Sequence, residues 1–471
     1  MNSESANHGE QDWRQTFGTW KAGSSVLHIE FGLEPGKIER MEDHLRVVRN
    51  GPDPHEGADL HFGKGLRDFG NTRTACQTAG SRIPSVMTLS YRAWLRVALL
   101  LSVATVLPIA TLAHPVSSRP IIFPDVPGYL TLVGDFHQHT VFSDGSVWPN
   151  IRVEEAIRDG LDAVAITDHL EYQPHEADIP HPDRNRSHAI AANAAREESL
   201  IVIRGAEVTR KMPPGHVNAI FIQDANALRQ PEPIDAFREA AKQNAFIFWN
   251  HPAWLDQTPD GVARLTPLHE QLLNEQLIHG IEVVNEHDYS DEALQIALDR
   301  NLTIMGNSDI HGLIDWEYNI PDGGHRPVTL VFAEEKTEAA LKAALVGRRT
   351  VVWFKNTLIG RAEWMDPLLA ASLTVASAAY APKTTVLEVV LTNHSDVDFQ
   401  LRNASSYGLH QDAGLLMVGA HKSETILVKT LQHLQRIELH FEVMNAVTAP
   451  RVHPTITFKV EAAVPGPASS P

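Results

Sequence analysis

The chain has 471 residues, of which 43% are hydrophobic and 21% are charged, a balance that excludes a fully disordered protein and allows more than one sizeable core. The formal net charge of −18 argues against long nucleic acid as a passively attracted partner. The single cysteine, Cys76, excludes intrachain disulfides and cysteine-based metal clusters, whereas 25 histidines are more than surface positions alone would explain.

The N-terminal part has two sections of different character. Residues 1–86 mix glycine, charge and scattered polar residues without a sustained period, so they are predicted to be unstructured. From Met87, a basic start and an uncharged run that ends in small residues before His114 have the order of a secretory signal peptide, over residues 87–113. We therefore expect translation to start at Met87, residues 1–86 to be a start-site artefact, and the protein to be exported to the periplasm or secreted. A signal anchor is the alternative, because the run is near the lower limit for spanning a bilayer; cleavage would leave the protein without a stable membrane span.

From residue 122 to 348, short apolar runs alternate with helical patterns. The apolar runs are Tyr129–Phe136, Ala163–Thr167, Leu200–Gly205, Val217–Ile222, Phe246–Trp249, Gly280–Val284, Leu302–Met305 and Val328–Phe332. The helix-like stretches are Ile151–Asp159, Ser187–Glu198, Ile234–Gln243, Ser290–Arg300 and Thr337–Val346. This alternation predicts an α/β fold of βα units around a parallel sheet, open or closed into a barrel. In either form the chemistry lies at the carboxyl ends of the strands.

Beyond residue 349 the pattern changes. The apolar runs, which alternate in places and are separated by Asn, Ser, Gly and Pro, are Thr385–Thr392, Thr425–Lys429, Ile437–Val443 and Thr455–Val460. Because no long helical pattern intervenes, residues 349–463 are predicted to form a small antiparallel β-sandwich. Residues 464–471 are predicted to be a disordered tail.

The segment Gly134–Asp144 contains the pair His137 and His139 directly after an apolar run. In a strand, both imidazoles point to the same face and can converge on one cation, with Asp144 within reach. A pair of this spacing is expected about once by chance in a chain this rich in histidine. The pair alone is therefore weak evidence, and the other candidate ligands decide its meaning.

Further candidate ligands follow the ends of other apolar runs. They are Asp168 and His169 after the second run, Glu207 after the third, His251 after the fifth, and Asp309 and His311 after the seventh. A βα barrel places its active site at these strand ends. His216, which opens a run, is the exception in position.

This ordered set resembles the polymerase and histidinol phosphatase (PHP) superfamily of metal-dependent phosphoesterases over about Leu130–His311, and is most similar to a secreted bacterial branch with a C-terminal β domain. The resemblance implies a distorted (β/α)7 TIM-like barrel that holds two or three divalent metal ions, usually zinc, manganese or iron. One ion would bind His137, His139, Glu207 and Asp309. A second would share Glu207 and add His216 and His251. The third would bind His169 and His311, with Asp144 where some members have histidine.

The expected chemistry is hydrolysis of a small-molecule phosphate ester by a metal-activated hydroxide. His169 and His311 are candidate proton shuttles, and Asp168 is a candidate partner that orients an imidazole. Basic side chains near the strand ends are candidates for binding phosphate, and each could instead be a solvated loop residue. They are Arg186, Arg210, Lys211 and Arg326.

Two alternatives remain open at this stage. The same site could hydrolyse a carboxylic ester, carbamate or amide, because such centres activate water for either electrophile. In a different class, the metals could be structural and the protein a non-catalytic metal-containing binding protein. The all-nitrogen-and-oxygen ligand set suits zinc, manganese or iron and does not choose among them.

Overall fold

The computed structural model describes residues 119–410 and 414–462, together with two short antiparallel strands, β1 (Trp20–Ala22) and β2 (Ser25–Leu27), in a separate N-terminal unit. Apart from these strands, the predictions for residues 1–86, for the export signal at 87–113 and for the tail at 464–471 concern residues outside the described part. Within the described residues, no helix combines the length and the apolar character needed to cross a membrane.

One mixed sheet forms the barrel. Its strands are β3 (Leu130–Asp135), β4 (Ala163–Ile166), β5 (Ile201–Val208), β6 (Val217–Ile220), β7 (Phe246–Trp249), β8 (Gly280–Asn285), β9 (Asp288–Tyr289), β10 (Thr303–Asn307), β11 (Val328–Ala333), β12 (Thr350–Phe354) and β13 (Thr357–Gly360). They lie in the order β10-β8-β7-β6-β5-β4-β3-β11-β12-β13, and β9 pairs with β8. The eight predicted apolar runs coincide with β3–β8, β10 and β11.

The strand directions show how the barrel departs from a regular βα barrel. Strands β3, β4 and β5 are mutually parallel, as are β7, β8 and β10. Strand β6 runs antiparallel to both of its neighbours, β5 and β7. The predicted TIM-like α/β barrel of seven strands, β3–β8 and β10, is therefore confirmed, with one strand reversed.

Eight helices are seen in the described part of the chain. They are α1 (Pro149–Arg158), α2 (Arg186–Ala194), α3 (Pro233–Lys242), α4 (Pro267–Asn274), α5 (Asp291–Asp299), α6 (Ile314–Glu317), α7 (Glu338–Val346) and α8 (Ala362–Ser372). Side-chain caps explain where several begin: Ser290 accepts from the Ala293 amide at α5, and Thr337 accepts from the Ala340 amide at α7. Five of the eight, α1, α2, α3, α5 and α7, match the predicted helical stretches.

Side chains join β10, the edge strand of the barrel sheet, to β11 and to the residue that follows β3. The Gly306 amide of β10 donates to Thr329 Oγ1 of β11 (3.0 Å), and that hydroxyl donates back to the Gly306 carbonyl (2.8 Å). Only glycine allows this approach, because a Cβ at position 306 would lie 2.2 Å from a methyl carbon of Val352. The Phe136 amide donates to Asn307 Oδ1 (2.9 Å). The carboxyl ends of β3 and β10 are thereby brought together.

The C-terminal domain is a sandwich of two four-stranded sheets. Its strands are β14 (Leu373–Tyr380), β15 (Val386–Asn393), β16 (Phe399–Asn403), β17 (Gly408–Leu409), β18 (Leu415–Val418), β19 (Ser423–Lys429), β20 (Arg436–Val443) and β22 (Thr455–Glu461). The sheet orders are β14-β15-β19-β17 and β18-β16-β20-β22. Every second residue of β20 is buried, from Ile437 to Val443, as expected for strands with one face on a core. The predicted β-sandwich is confirmed.

Three details of the region beyond residue 349 differ from the prediction. Strands β12 and β13 continue the barrel sheet through β11, so the predicted boundary at residue 349 lies inside a hydrogen-bonded sheet. A short strand, β21 (Ala446–Val447), pairs with β13 from the C-terminal side. Helix α8 then precedes the first sandwich strand, and its interior Pro367 explains why no helix was predicted there.

Candidate metal centre

The candidate ligands lie at one end of the barrel. His137 and His139 follow β3, His169 follows β4, Glu207 lies near the end of β5, His251 follows β7, and Asp309 and His311 follow β10. His216 precedes β6, but β6 is the reversed strand, and Val217 pairs with Val208 at the end of β5. A residue that opens a reversed strand reaches the same end of the sheet as residues that close its parallel neighbours.

Two buried imidazoles and two carboxylates surround a common point. His137 Nε2 and His139 Nε2 are 3.1 Å apart, and lie 3.0 and 2.9 Å from Asp309 Oδ1. Glu207 Oε2 lies 3.6 and 3.4 Å from the same two nitrogens. Ligand atoms at about 2.0–2.2 Å from a zinc ion would be separated by similar distances.

The second oxygen of Glu207 faces a neighbouring group. His216 Nδ1 lies 2.8 Å and His251 Nε2 lies 3.7 Å from Glu207 Oε1. Asn250 Nδ2 donates to this same oxygen (3.1 Å) and so holds the carboxylate in place. Glu207 therefore has one oxygen directed to each of two groups of imidazoles.

Asp144 lies between two further histidines. Its Oδ2 lies 3.4 Å from His169 Nε2, and its Oδ1 lies 3.3 Å from His311 Nε2. His139 Nδ1 is 3.7 Å from Asp144 Oδ1. His169 also reaches Glu207, because its Nδ1 lies 2.7 Å from Glu207 Oε2. The three groups thus form one continuous cluster.

The residues present fit divalent cations. Four buried polar atoms of the cluster have no hydrogen-bond partner within the described part of the chain: Asp144 Oδ1, Glu207 Oε2, Asp309 Oδ1 and His216 Nδ1. Unpaired buried oxygens and nitrogens are unfavourable unless another species satisfies them. Metal ions would do so, since nitrogen and oxygen ligands from histidine and carboxylate suit zinc, manganese and iron.

Comparison with known proteins identifies the family. A family model for the PHP domain matches residues 135–301, and a model for an Ig-like domain matches residues 373–459. A crystal structure of a two-domain protein from Bacteroides vulgatus, containing a predicted PHP-like metal-dependent phosphoesterase, is 40% identical with a TM-score of 0.69. The match covers 73% of this chain and 99% of that chain. The chain belongs to the PHP family.

Two other solved structures are more distant. They are described as a metal-dependent phosphoesterase from Bifidobacterium adolescentis and an amidohydrolase from Chromobacterium violaceum, with TM-scores of 0.31 and 0.29. Each is 17% identical, and each match covers 38% of this chain and 87% of the other. No curated protein matches the chain. Family membership and the clustered ligands together support a metal-dependent hydrolase.

The electrostatics of the PHP centre favour positive charge. Burial lowers the pKa of His169, but the charge of Glu207 and a hydrogen bond to Asp144 outweigh it and raise that pKa to about 10. Burial also lowers the pKa of His311, but a hydrogen bond to Asp144 and the charge of Asp309 outweigh it and raise that pKa to about 9. Burial and the charges of His311 and His169 lower the pKa of His139 to about 4. Without metal, the carboxylates are therefore balanced by protons on imidazoles.

Asp168 has a different contact from the one predicted. Its carboxylate accepts from the Thr140 amide (2.7 Å), the Thr140 hydroxyl (2.8 Å) and the Ser143 hydroxyl (2.7 Å). In the described part of the chain it makes no hydrogen bond to an imidazole. Its influence on His139 passes through Ser143, whose Oγ lies 3.3 Å from His139 Nδ1. Asp168 thus holds the loop after His139 rather than the ring itself.

The four basic candidates lie in three different settings. Arg326 is fully buried between Asp135 and Asp159, so the prediction that it binds substrate is wrong. Arg210 pairs with Glu171 (2.8 Å) and lines a cavity beside His169. Its position is compatible with contact to a substrate.

Lys211 and Arg186 are exposed. Arg186 lines a separate cavity of about 350 Å³ together with Phe142 and Trp148. Exposure alone does not test whether these two residues bind substrate, so that role stays a prediction.

Sequence reasoning missed Glu282, a buried carboxylate in the middle of β8. Its Oε1 lies 2.9 Å from His137 Nδ1, and its Oε2 accepts from the His251 amide (2.9 Å). One signal was available: an acidic residue inside the otherwise apolar run Gly280–Val284. A charge at an inward position of a barrel strand is rarely buried without a partner, so it marks a polar site.

Proposed function

We propose that this PHP protein hydrolyses a small phosphate ester with two or three divalent metal ions, zinc, manganese or iron. The observation that carries the proposal is the convergence of three carboxylates and six imidazoles at one end of the barrel. These residues are His137, His139, Asp144, His169, Glu207, His216, His251, Asp309 and His311. When bound there, divalent ions supply positive charge for phosphoryl oxygens and lower the pKa of water toward neutrality.

The ligands divide into three proposed subsites. His137, His139, Glu207 and Asp309 would hold the first ion, and Glu207, His216 and His251 the second; Asp144, His169 and His311 would hold the third. Each histidine lies within 4.0 Å of a carboxylate oxygen of its proposed subsite. His169 Nδ1 also lies 2.7 Å from Glu207 Oε2, so the proposed subsites adjoin one another.

The number of ions decides the role of His311. With three ions, His311 and Asp144 are both ligands. With two, His311 remains free, and its side chain is 36% exposed, against 7% for His169. His311 can then exchange a proton between the site and solvent, as a general acid or base must do.

Substrate recognition is assigned to the cavity beside His169. This cavity of about 590 Å³ is lined by Arg210, Arg184 and Arg229 together with Glu171. Guanidinium groups that line a cavity fit an anionic part of a substrate, and the cavity begins at the two residues that follow His169.

The proposal is tested by removing metal, reconstituting with zinc, manganese or iron(II), and assaying p-nitrophenyl phosphate, bis-p-nitrophenyl phosphate and p-nitrophenyl acetate. We expect phosphate ester turnover with at least one metal. His139→Asn should lower kcat/KM by at least about a hundredfold. His433→Asn, in the Ig-like domain, is the matched control because His433 contacts the Thr384 carbonyl and the ring of Tyr380 instead of the metal centre.

Two results would favour the alternative functions over phosphate ester hydrolysis. Turnover of the acetate without phosphate release would indicate a carboxylic ester or amide hydrolase at the same centre. Tight metal binding without turnover of any ester would indicate the metal-containing binding protein.

We further propose that residues 87–113 direct export. The support is the order of a basic start, an apolar run and small residues before His114. N-terminal sequencing of protein from the periplasm or medium should find a mature start close to His114. A mature start upstream of Met87 would contradict both the export signal and the proposed translation start.

A further inference from the structure

Glu282 is surrounded by hydrogen-bond donors on both of its oxygens. Oε1 accepts from Asn307 Nδ2 (2.8 Å) and lies 2.9 Å from His137 Nδ1. Oε2 accepts from the His251 amide (2.9 Å) and from Asn285 Nδ2 (2.9 Å). The side chain is 1% exposed, so these four groups are its immediate environment.

The donor roles follow from the neighbouring groups. The His251 contact is a backbone N–H, which can only donate. The orientation of the Asn307 amide is set because its Oδ1 accepts from the Phe136 amide, which leaves Nδ2 to face Glu282. Asn285 Nδ2 lies between two carboxylates, Glu282 and Asp309 (3.2 Å), so this end is also a donor.

The same environment sets the tautomer of His137. An ionised carboxylate accepts only, so His137 Nδ1 must carry the proton that it donates to Glu282 Oε1. In the neutral ring that a metal would bind, the other nitrogen, Nε2, is left with its lone pair directed to the point shared with His139, Glu207 and Asp309. This is the state in which the ring can bind a metal.

We propose that Glu282 is the positioning residue of the metal centre: its carboxylate holds His137 in the metal-binding tautomer and fixes the backbone at His251. The second contact matters because His251 has a φ of 26°, in the left-handed region. A non-glycine residue stays in that region only when its surroundings hold it there. One carboxylate thereby links a ligand from each of the first two proposed subsites. The inference rests on the metal centre of the proposed function.

Glutamine is the informative substitution because it keeps the shape and removes two acceptor positions. In Glu282→Gln, one orientation of the new amide places its NH2 group against the fixed donors of His251 and Asn285. The other orientation places the NH2 group against the donor of Asn307. It also turns His137 Nδ1 into an acceptor, so that Nε2 carries the proton. Either orientation works against metal binding.

The first test measures zinc affinity by competition with a chelating dye and zinc content by elemental analysis. Glu282→Gln should weaken zinc binding by about 10–100-fold, the range found for partners of metal-binding histidines. Glu442→Gln is the control, since Glu442 lies in the Ig-like domain and its carboxylate accepts from Arg402 Nε (3.0 Å). The control should leave zinc affinity at the wild-type value. Equal zinc affinity in wild-type protein and Glu282→Gln would overturn the proposal.

The second test measures the His137 tautomer in wild-type protein and needs a variant only to assign the signal. In zinc-loaded protein labelled with 15N-histidine, His137 should show a downfield, slowly exchanging proton on Nδ1, assigned by its absence in His137→Gln. A proton on Nε2, or a rapidly exchanging Nδ1 proton, would contradict the proposed contact. Neither test uses turnover: zinc binding without phosphate release would refute only the proposed function, and unchanged affinity in Glu282→Gln would refute only the positioning role.

Discussion

Replacing Arg326 by methionine should destabilise the PHP barrel and leave substrate binding intact. The guanidinium is fully buried, with Nη1 3.2 Å from Asp135 Oδ2 and Nη2 2.7 Å from Asp159 Oδ2. Methionine fills much of the same volume but carries no charge, so both carboxylates lose this partner. Asp159 keeps an ion pair with Arg119 (2.7 Å), whereas Asp135 keeps only hydrogen bonds from Ser308.

The expected loss follows from these contacts. Removing one partner of a buried ion pair lowers stability by ~3–5 kcal/mol, because an uncompensated charge remains. Since Arg119 still faces Asp159, we expect the lower end, about 3 kcal/mol. In a domain of this size, that loss lowers the thermal midpoint by roughly 6–12 °C. Calorimetry of the barrel transition in metal-free protein measures it without a contribution from metal binding.

The matched control is Arg264→Met. Arg264 makes an ion pair of the same length with Asp260 (2.7 Å), but its side chain is 60% exposed. Exposed pairs of this kind contribute less than about 1 kcal/mol, so the midpoint should hardly move. Adding Asp135→Asn to Arg326→Met should recover part of the loss, because it removes the unpaired charge.

The outcome separates two roles for Arg326. A midpoint shift no larger than that of the control would refute the reasoning from burial. An arginine that binds substrate would show the reverse pattern, with a raised KM and an unchanged midpoint. The structure predicts a lower midpoint with KM at the wild-type value.

Three further predictions concern the centre, the cavity and the Ig-like domain. With all three proposed subsites filled, zinc binding at pH 7 should release at least two protons, because His169 and His311, with pKa values of about 10 and 9, hold protons that the third ion must displace. Zinc affinity of this subsite should rise with pH up to that range. Calorimetry in buffers of different ionisation enthalpy counts the protons, and fewer than two with three ions bound would contradict the third subsite. Arg210→Met should raise KM for a phosphate ester about tenfold at similar kcat, through loss of a charge-assisted hydrogen bond, and an unchanged KM would remove Arg210 from substrate recognition. Asn393→Ala removes hydrogen bonds from a buried amide to three backbone carbonyls. It should destabilise the Ig-like domain by ~1–3 kcal/mol while zinc affinity stays unchanged, and a denaturation midpoint equal to that of wild type would contradict this.

The position of His216 shows how far a local pattern reaches. The sequence places most candidate ligands after apolar runs, and His216 before one. Alternation of apolar runs and helices predicts parallel strands, because βα units return in the same direction. Only the register of β6 against β5 and β7 shows that this strand is reversed and that His216 lies with the others.

Arg326 and Asp168 show the opposite limit. Both are charged residues close to strand ends, and their sequence surroundings do not distinguish a substrate contact from a structural one. Arg326 contacts Asp135, 191 residues earlier, and Asp168 contacts Thr140, 28 residues earlier. A side chain's partner at such separations depends on how the barrel closes.

The sequence by itself determined the class of the fold and the family, and it named candidate nitrogen and oxygen ligands that the structure brings together, because strand ends and the order of these residues can be recognised in short stretches of chain. The tertiary structure alone decided which charges are buried and what they contact. Glu282 is the clearest case: it sits in an apolar strand, 145 residues from His137, yet its oxygen lies 2.9 Å from that ring. The physical reason is that a hydrogen bond needs two groups within about 3 Å, and only chain closure brings residues this distant in sequence to that distance.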